Sequence, residues 1–384
     1  MQQIPAALAD IQNLSVLSSE NEAIREWKNS GKKVIAFQCT YVPEEIIYAA
    51  GALPVRLIGD SQLANYDEAN AYMYSNTCSF IRNCLELVLR NRYTFLDGLA
   101  AGSTCDCSRR LADVWEHYRY TPFVHVIGVP RKISPSAYEL YKLELRQFMD
   151  KLAEYLNVPI TEEALRKAIE VYNRRRQLLR ELYNLNKQDT PPLSGSELMS
   201  ILNASAAVPP EIFNNLLERL LEELKANPRQ VRGQFRIMIG GSPLNNPEFI
   251  RAVEEHGGLV VIDELCTGVR YWWEGVDLER YGGPVEALSR RYLHNFACPR
   301  MEPSDDRLQR ITRLVKDYRV EAVITQMVRY CVPQTLEQPL VKDLLHELGL
   351  PVLELDVEYG MGGTGQITTR IQAFFEMLRG RKSG

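Results

Sequence analysis

Short apolar runs alternate with amphipathic segments in the first third of the chain. Four buried strands are predicted there, from the runs KKVIAFQC, LPVRLIG, FLDGLAAGS and FVHVIGVP. The stretches VPEEIIYAAGAL and SRRLADVWEHY carry apolar residues at helical spacing and lie between strands. Strands that alternate with helices are typical of a parallel sheet covered on both faces. We therefore expect an α/β domain over residues 1–135, with residues 1–30 as a helical lead-in.

The pattern changes over residues 136–230 and then returns. Long amphipathic helices are predicted from SAYELYKLELRQFMDKLAEYL, from ITEEALRKAIEVYNRRRQLLRELYNLNK and from PEIFNNLLERLLEELKANP, with a loop at DTPPLSGSEL. Strands and helices alternate again over 231–384, with strands at FRIMIGGS, LVVIDELC, EAVITQMVRYC and PVLELDVEY. The expected fold is two Rossmann-like α/β domains joined by a helical segment, with a site in the cleft between them.

Composition and charge exclude several functional classes. The chain has 384 residues, 45% hydrophobic content and a formal charge of −4, so it is not basic enough for a nucleic-acid reader. No apolar run approaches the roughly 18–20 residues that a membrane span needs, and the first residues lack a signal-peptide pattern. We expect a cytoplasmic protein.

Six of the eight cysteines form two trios with similar layouts. The first trio is Cys39, Cys78 and Cys105, and the second is Cys266, Cys298 and Cys331. Four of the six follow predicted strands, and ligands collect outside the carboxyl ends of parallel strands. Cytosolic thiols stay reduced, so disulfides are not expected. Metal ligation, catalysis or plain burial remain for these thiols.

Two simpler interpretations compete with a metal–sulfur site. Free cysteine is among the most buried residue types, so one cysteine by itself indicates only a core position. Zinc sites commonly use paired cysteines two to four residues apart, a pattern that these six do not follow. Iron–sulfur clusters bind thiolates from distant parts of a chain. The repeated layout therefore favours iron–sulfur ligation.

Four segments carry a resemblance to a known family. They are CTYVPEEIIYAAGALPVRL, DGLAAGSTCDCSRRLADVW, DELCTGVRYWWE, and the stretch from Cys331 through LHELGLPVLELDVEYGMGGTGQITTRIQAFFEML. In this order they resemble the 2-hydroxyacyl-CoA dehydratase D-component and benzoyl-CoA reductase family. The resemblance implies that Cys78, Cys105 and Cys331 hold one 4Fe–4S cubane. Cys39 stands where many members have a serine that faces the substrate.

Cys39, together with Cys266 and Cys298, points to the double-cubane branch of this family. That resemblance implies a homodimer in which six cysteines of each chain hold two cubanes joined by a sulfide. Cys84 and Cys107 would then be spare, with Cys107 as a possible substitute ligand. It also implies anaerobic, ATP-dependent reduction of small molecules that contain multiple bonds.

The same resemblance implies a separate ATPase activator with its own 4Fe–4S cluster. The chain has no G-x-x-x-x-G-K-[ST] phosphate loop of its own, and GMGGTGQ at 360–366 is predicted to be a turn. Two other functions stay open. One is a subunit of an acyl-CoA dehydratase or benzoyl-CoA reductase with a single cluster, and the other is a non-catalytic electron-storage or transfer protein.

A few other residues are candidates for the chemistry. Glu264 could relay protons and Arg270 could raise a cluster potential, although the two could equally form an ordinary surface pair. His294 could donate a proton near Cys298, or be structural. Three further features favour structural roles, namely helix capping by Glu44 and Glu45, core packing of Trp272 and Trp273, and a glycine turn at 240–242.

Overall fold

Eight parallel strands form two sheets in the part of the chain that the computed structural model describes, which is residues 4–15, 17, 21–63, 65–206, 208–295, 297–360 and 365–383. The order is β2-β1-β3-β4 in the first sheet and β6-β5-β7-β8 in the second. The strands are β1 Val34–Gln38, β2 Leu53–Arg56, β3 Gly98–Ser103, β4 Phe123–Gly128, β5 Phe235–Gly241, β6 Gly258–Glu264, β7 Ala322–Val328 and β8 Val352–Val357.

Helices cover and connect the strands. Those of the first half are α1 Ala6–Gln12, α2 Glu22–Asn29, α3 Glu44–Ala49, α4 Asp67–Asn70, α5 Ser79–Leu89 and α6 Asp106–His117. The middle of the chain contributes α7 Pro135–Leu156, α8 Glu162–Leu185, α9 Gly195–Ser205 and α10 Pro210–Ala226. The second half contributes α11 Pro247–Glu255, α12 Val269–Trp272, α13 Leu278–Tyr281, α14 Pro284–His294, α15 Asp305–Asp317, α16 Val332–Glu347 and α17 Gly365–Ser383. Among the described residues, no helix has both the length and the apolar character needed to cross a bilayer.

The predicted α/β class with two parallel sheets is confirmed. In each sheet the chain starts at an inner strand, continues to the edge strand beside it and then crosses to the two strands on the other side. Strands β1 to β4 therefore correspond in order to β5 to β8. Strands β1 and β6 are buried along their whole length, as expected when helices cover both faces of a sheet. Strand ends of both halves therefore present equivalent positions for functional residues.

The middle helices interlock the two halves. Helix α7 packs on β4 of the first sheet and also on α14 of the second half, whereas α9 packs on β6 and α11. Helix α9 starts at a capping box formed by Ser194 and Glu197, inside the predicted loop and cap region. Helices of the middle segment contact elements of both halves, so the predicted domain boundaries near residues 135 and 230 stay a prediction.

Glu44 and Glu45 do more than favour a helix start. Both lie in the first turn of α3 but are buried, and they face Arg175 and Arg176 of α8. Arg176 Nη2 donates to Glu45 Oε1 at 2.5 Å, and Arg175 Nη1 lies 3.8 Å from Glu44 Oε2. Burial disfavours both charges, yet Arg176 holds the pKa of Glu45 below its usual range, whereas the pKa of Glu44 stays raised by burial. Capping was therefore an incomplete interpretation of these residues.

Two tyrosines extend this network into the second half. Tyr271 of α12 donates to Glu44 at 2.5 Å, and Tyr292 of α14 donates to Glu45 at 2.7 Å. We call Glu44, Glu45 and their arginine and tyrosine partners the carboxylate network. It joins α3, α8, α12 and α14, so it ties both halves to the middle helices.

Replacing Arg176 with Met should lower the free energy of unfolding by about 3 to 5 kcal/mol, because the Glu45 carboxylate would stay buried without its main partner. Arg174→Met is the matched control on the same helix. Arg174 is 43% exposed and pairs with Glu218 at 2.7 Å, so its loss should cost about 0 to 1 kcal/mol. Urea unfolding followed by circular dichroism measures both. Equal costs for the two variants would contradict a structural role for the network.

Candidate metal centre

One cavity of about 670 Å³ brings most of the cysteines together. Residues just beyond the carboxyl ends of strands from both sheets line it, and it contains all six predicted ligands as well as Cys107. The cysteines are Cys39, Cys78, Cys105, Cys107, Cys266, Cys298 and Cys331. Cys84 is fully buried in α5 and does not line this cavity. The cleft between two parallel sheets is therefore rich in soft ligands.

Helix starts position three of these thiols. Cys78, Cys105 and Cys331 are the N-cap residues of α5, α6 and α16, each more than ten residues long. The Cys105 sulfur accepts a hydrogen bond from the Ser108 amide at 3.4 Å. The positive end of a helix favours a thiolate over a thiol. These three positions therefore suit anionic sulfur ligands.

The other ligands follow strand ends or a loop. Cys39 comes directly after β1 and has a left-handed backbone, with φ of +84°. Cys266 comes two residues after β6, and Cys298 lies in the loop between α14 and α15. The amide of Cys298 donates to the Tyr41 hydroxyl at 3.1 Å, which links the loop to the segment after β1.

The thiols do not group by half of the chain. Thr40, next to Cys39, donates to the Cys266 carbonyl at 2.9 Å, and the Cys298 amide donates to Tyr41, so we call Cys39, Cys266 and Cys298 the Cys298 end of the cavity. The Cys78 amide donates to the Cys107 sulfur at 3.4 Å, and we call Cys78, Cys105, Cys107 and Cys331 the Cys107 end, although Cys105 also lies near Cys39 and Cys331 near Cys266. The two trios seen in the sequence therefore do not coincide with the two ends of the cavity. Topology gives the reason, since Cys39 follows the first strand of its sheet whereas Cys266 follows the second strand of the other.

Protonation of the thiols reflects their burial. Burial raises the pKa of Cys298 to about 11, against the attraction of Arg270, and it also raises the pKa of Cys331. Hydrogen bonds from Cys105 and Cys78 lower the pKa of Cys107, while those same bonds and burial raise the pKa of both donors. Thiols in such a site lose their protons when a metal binds, because the metal supplies the missing positive charge.

The donor set suits a polynuclear group better than a single ion. Among the described residues, no three His, Cys, Asp or Glu side chains lie close enough together to bind one metal ion. The thiols instead surround a space of ligand size. Asp106 is the one carboxylate among the cavity-lining residues of the described chain, and no histidine lines it. Thiolates without imidazole or further carboxylates are typical ligands of iron–sulfur clusters.

The three predicted catalytic candidates have different surroundings. Arg270 lines the cavity, whereas Glu264 lies behind it and accepts hydrogen bonds from Arg307 at 2.9 and 3.1 Å. Arg270 Nε lies 3.5 Å from Glu264, and both side chains are nearly fully buried, so the surface-pair alternative is wrong. His294 is exposed at the end of α14, 4.0 Å from Asp306 and outside the cavity lining.

Sequence reasoning missed Tyr41, Arg56 and Arg300. Each lines the cavity, and Arg56 Nη1 donates to the Cys266 carbonyl at 3.0 Å. Burial raises the pKa of Tyr41, so the hydroxyl keeps its proton. The only sequence signal was closeness to a cysteine, since Tyr41 lies two residues after Cys39 and Arg300 two after Cys298.

The remaining predicted motifs lie elsewhere. Trp272 is buried against Tyr183, with ring centroids 4.5 Å apart, and does not line the cavity, so core packing was the better interpretation. The turn at 240–242 serves the sheet, because the Ser242 hydroxyl accepts the Val328 amide at 3.0 Å. Most of the GMGGTGQ turn, residues 361–364, lies outside the described residues.

Comparison with known proteins agrees with the geometry. The family model described as 2-hydroxyglutaryl-CoA dehydratase, D-component, matches residues 39–378. YjiM of Escherichia coli K12, which has a provisional name as a dehydratase subunit, is 29% identical over 92% of this chain and 94% of its own. A benzoyl-CoA reductase subunit from Thauera aromatica is 27% identical, over 93% of this chain and 94% of its own.

A further relative is the beta subunit of (R)-2-hydroxyglutaryl-CoA dehydratase from Acidaminococcus fermentans. It is 24% identical over 98% of this chain and all of its own. The names of these relatives denote subunits of dehydratases and of benzoyl-CoA reductase. The family match covers most of the chain, from Cys39 to the last helix. The chain therefore belongs to the 2-hydroxyglutaryl-CoA dehydratase D-component family, which includes subunits of 2-hydroxyacyl-CoA dehydratases and benzoyl-CoA reductases.

Proposed function

We propose that this chain is an iron–sulfur reductase that holds a double-cubane cluster and reduces small molecules at low potential, driven by ATP. The observation that carries the proposal is the shared cavity, because Cys39, Cys266 and Cys298 face the same space as the three cysteines that match the family's single cubane. The proposed ligands are Cys39, Cys78, Cys105, Cys266, Cys298 and Cys331.

The two ends of the cavity suit one cubane each. Cys78, Cys105 and Cys331 would hold one cubane at the Cys107 end, and the trio at the Cys298 end would hold the other. Three thiolates leave one iron of a four-iron cubane without a protein ligand, and a shared sulfide would complete both. When bound, such a group supplies single electrons at low potential. The surrounding residues hold it and exclude water, which would otherwise consume electrons.

Electrons would come from a separate ATPase activator with its own 4Fe–4S cluster. The sequence has no phosphate-binding loop with the required lysine, and the proposal assigns ATP hydrolysis to a separate partner. The relatives are named as subunits, which supports a multi-component system. We further propose a homodimer that works in an anaerobic cytoplasm.

A second function has its own support. The chain could be a subunit of a 2-hydroxyacyl-CoA dehydratase or benzoyl-CoA reductase with one 4Fe–4S cluster, as the names of its relatives suggest. The Cys107 end favours this alternative, because it contains enough thiols for one cubane without Cys39, Cys266 or Cys298. The two functions differ in the number of irons per chain.

Protein purified without oxygen should contain about eight irons per chain, with slightly more acid-labile sulfide than iron, because two cubanes would share one extra sulfide. Colorimetric iron and sulfide assays measure both. About four of each would overturn the double-cubane proposal and support the single-cluster subunit.

Cys39→Ser should lower the iron content and change the visible and electron paramagnetic resonance spectra while the fold persists. Serine keeps the size of the side chain but replaces the soft sulfur ligand. Cys84→Ala is the matched control, since Cys84 lies outside the cavity and its loss should leave iron unchanged. Unchanged iron in Cys39→Ser would remove Cys39 from the ligand set.

With an activator ATPase, ATP and dithionite as the electron donor, the protein should reduce a simple alkyne to the alkene, using two electrons and two protons. Gas chromatography measures the product, and omission of ATP is the control. A protein that takes up electrons but releases no product under these conditions would instead be an electron-storage or transfer protein.

A further inference from the structure

Three arginines surround the Cys298 end of the cavity. Arg56 donates to the Cys266 carbonyl and to Thr40 Oγ1, both at 3.0 Å. Arg300 donates to the carbonyls of two residues after β4, at 2.9 and 3.0 Å. Arg270 is 2% exposed and lines the cavity, and its Nε and Nη1 have no hydrogen-bond partner in the described structure. Neutral groups thus hold Arg56 and Arg300 in place, whereas packing and Glu264 hold Arg270.

Arg56 and Arg300 lack carboxylates of their own in the described structure, and Arg270 shares one with Arg307. No Asp or Glu of the described chain lies within 4.0 Å of the Arg56 or Arg300 guanidinium. Glu264 is 3.5 Å from Arg270, but it is already bound by Arg307 through two shorter hydrogen bonds. Arg270 and Arg300 are buried without a carboxylate to themselves, which is costly for a cation, so a further anion is expected beside them. The nearest groups that become anionic are the thiols of Cys266 and Cys298.

The Cys107 end has no equivalent set. Arg109, on α6 close to Cys107, lines the cavity, but it is exposed to water. Arg82 is buried near Cys78, yet it does not line the cavity and lies 3.4 Å from Glu358. Water and a paired carboxylate both weaken the field of a cation. Positive charge is therefore concentrated at one end of the cavity.

We propose that Arg56, Arg270 and Arg300 make the Cys298 end the electron sink of the cavity. This inference rests on the proposed function. The three arginines stabilise an added negative charge at the Cys298 end more than at the Cys107 end, since nearby cations raise the potential of a bound cluster. If both ends held a cluster, an added electron would reside at the Cys298 end rather than at the Cys107 end, with no bond made and no proton moved. Electrons would therefore collect beside Arg270, where substrate would be reduced.

The test is a redox titration of the intact protein with dithionite or titanium(III) citrate, followed by electron paramagnetic resonance. Native protein should show two one-electron steps at different potentials. In Arg270→Gln, the higher of the two reduction potentials should fall by about 59 mV, which is about a tenfold change in the equilibrium constant of a one-electron step. The other step and the iron content should stay unchanged.

Two variants serve as controls. Arg270→Lys keeps the charge and should restore most of the lost potential. Arg109→Gln removes an arginine from the exposed part of the same cavity and should shift the higher step by much less, because water screens that charge. Arg270→Gln should still fold, since Glu264 keeps both hydrogen bonds from Arg307.

The outcomes separate this inference from the proposed function. Unchanged potentials in Arg270→Gln, or equal shifts of both steps, at full iron content would overturn the electron sink and leave the double cubane intact. If Arg270→Gln loses iron, Arg300→Gln repeats the test, and loss of iron from both variants would show that the arginines assemble the site instead. About four irons in native protein would overturn the proposed function itself.

Discussion

The geometry of the cavity depends on the buried carboxylate network. Three of its four elements adjoin the Cys298 end directly, because α3 follows Cys39, α12 follows Cys266 and α14 precedes Cys298. Glu44 and Glu45 bind Tyr271 and Tyr292 across the two halves, and the arginines of α8 hold both carboxylates. A buried, hydrogen-bonded ion pair fixes the relative positions of the helices that carry it, because a displacement of either helix would leave a buried charge unpaired. The network thereby fixes three thiols from separate elements around one space.

Electrostatics divides the cavity that this network creates. At the Cys107 end, helix starts favour anionic sulfur, and Cys107 accepts hydrogen bonds from neighbouring thiols. At the Cys298 end, none of the three cysteines is the N-cap of a described helix, and arginine guanidinium groups supply the positive charge instead. Helix dipoles are partial charges, whereas Arg270 is a full buried charge. The two ends therefore stabilise negative charge to different degrees, although both bind through the same kind of ligand.

Local patterns in the sequence predicted the strands and the cavity-lining cysteines, because a strand end followed by a cysteine can be recognised from a stretch of a few residues. Partnerships between distant residues were not visible. Arg176 lies far along the chain from Glu45, so the glutamates could be seen only as helix-start residues. The grouping of Cys39 with Cys266 also depends on strand order, since the two follow different strands of their sheets. Cys107 was expected to be spare after six ligands, although a possible substitute, and the start of α6 places both Cys105 and Cys107 at the cavity.

The backbone after the first strand of each sheet gives an independent argument for Cys39. Gly241, at the end of β5, has φ of +116°, and a Cβ there would lie 1.9 Å from the Gln326 carbonyl oxygen. Cys39, at the equivalent position after β1, has φ of +84°, where glycine would relieve a cost of about 1 to 2 kcal/mol. The second half meets this bend with glycine, whereas the first accepts the strain and keeps a side chain. That side chain lines the cavity beside Cys298, so the strain is explained if the thiol itself is needed there.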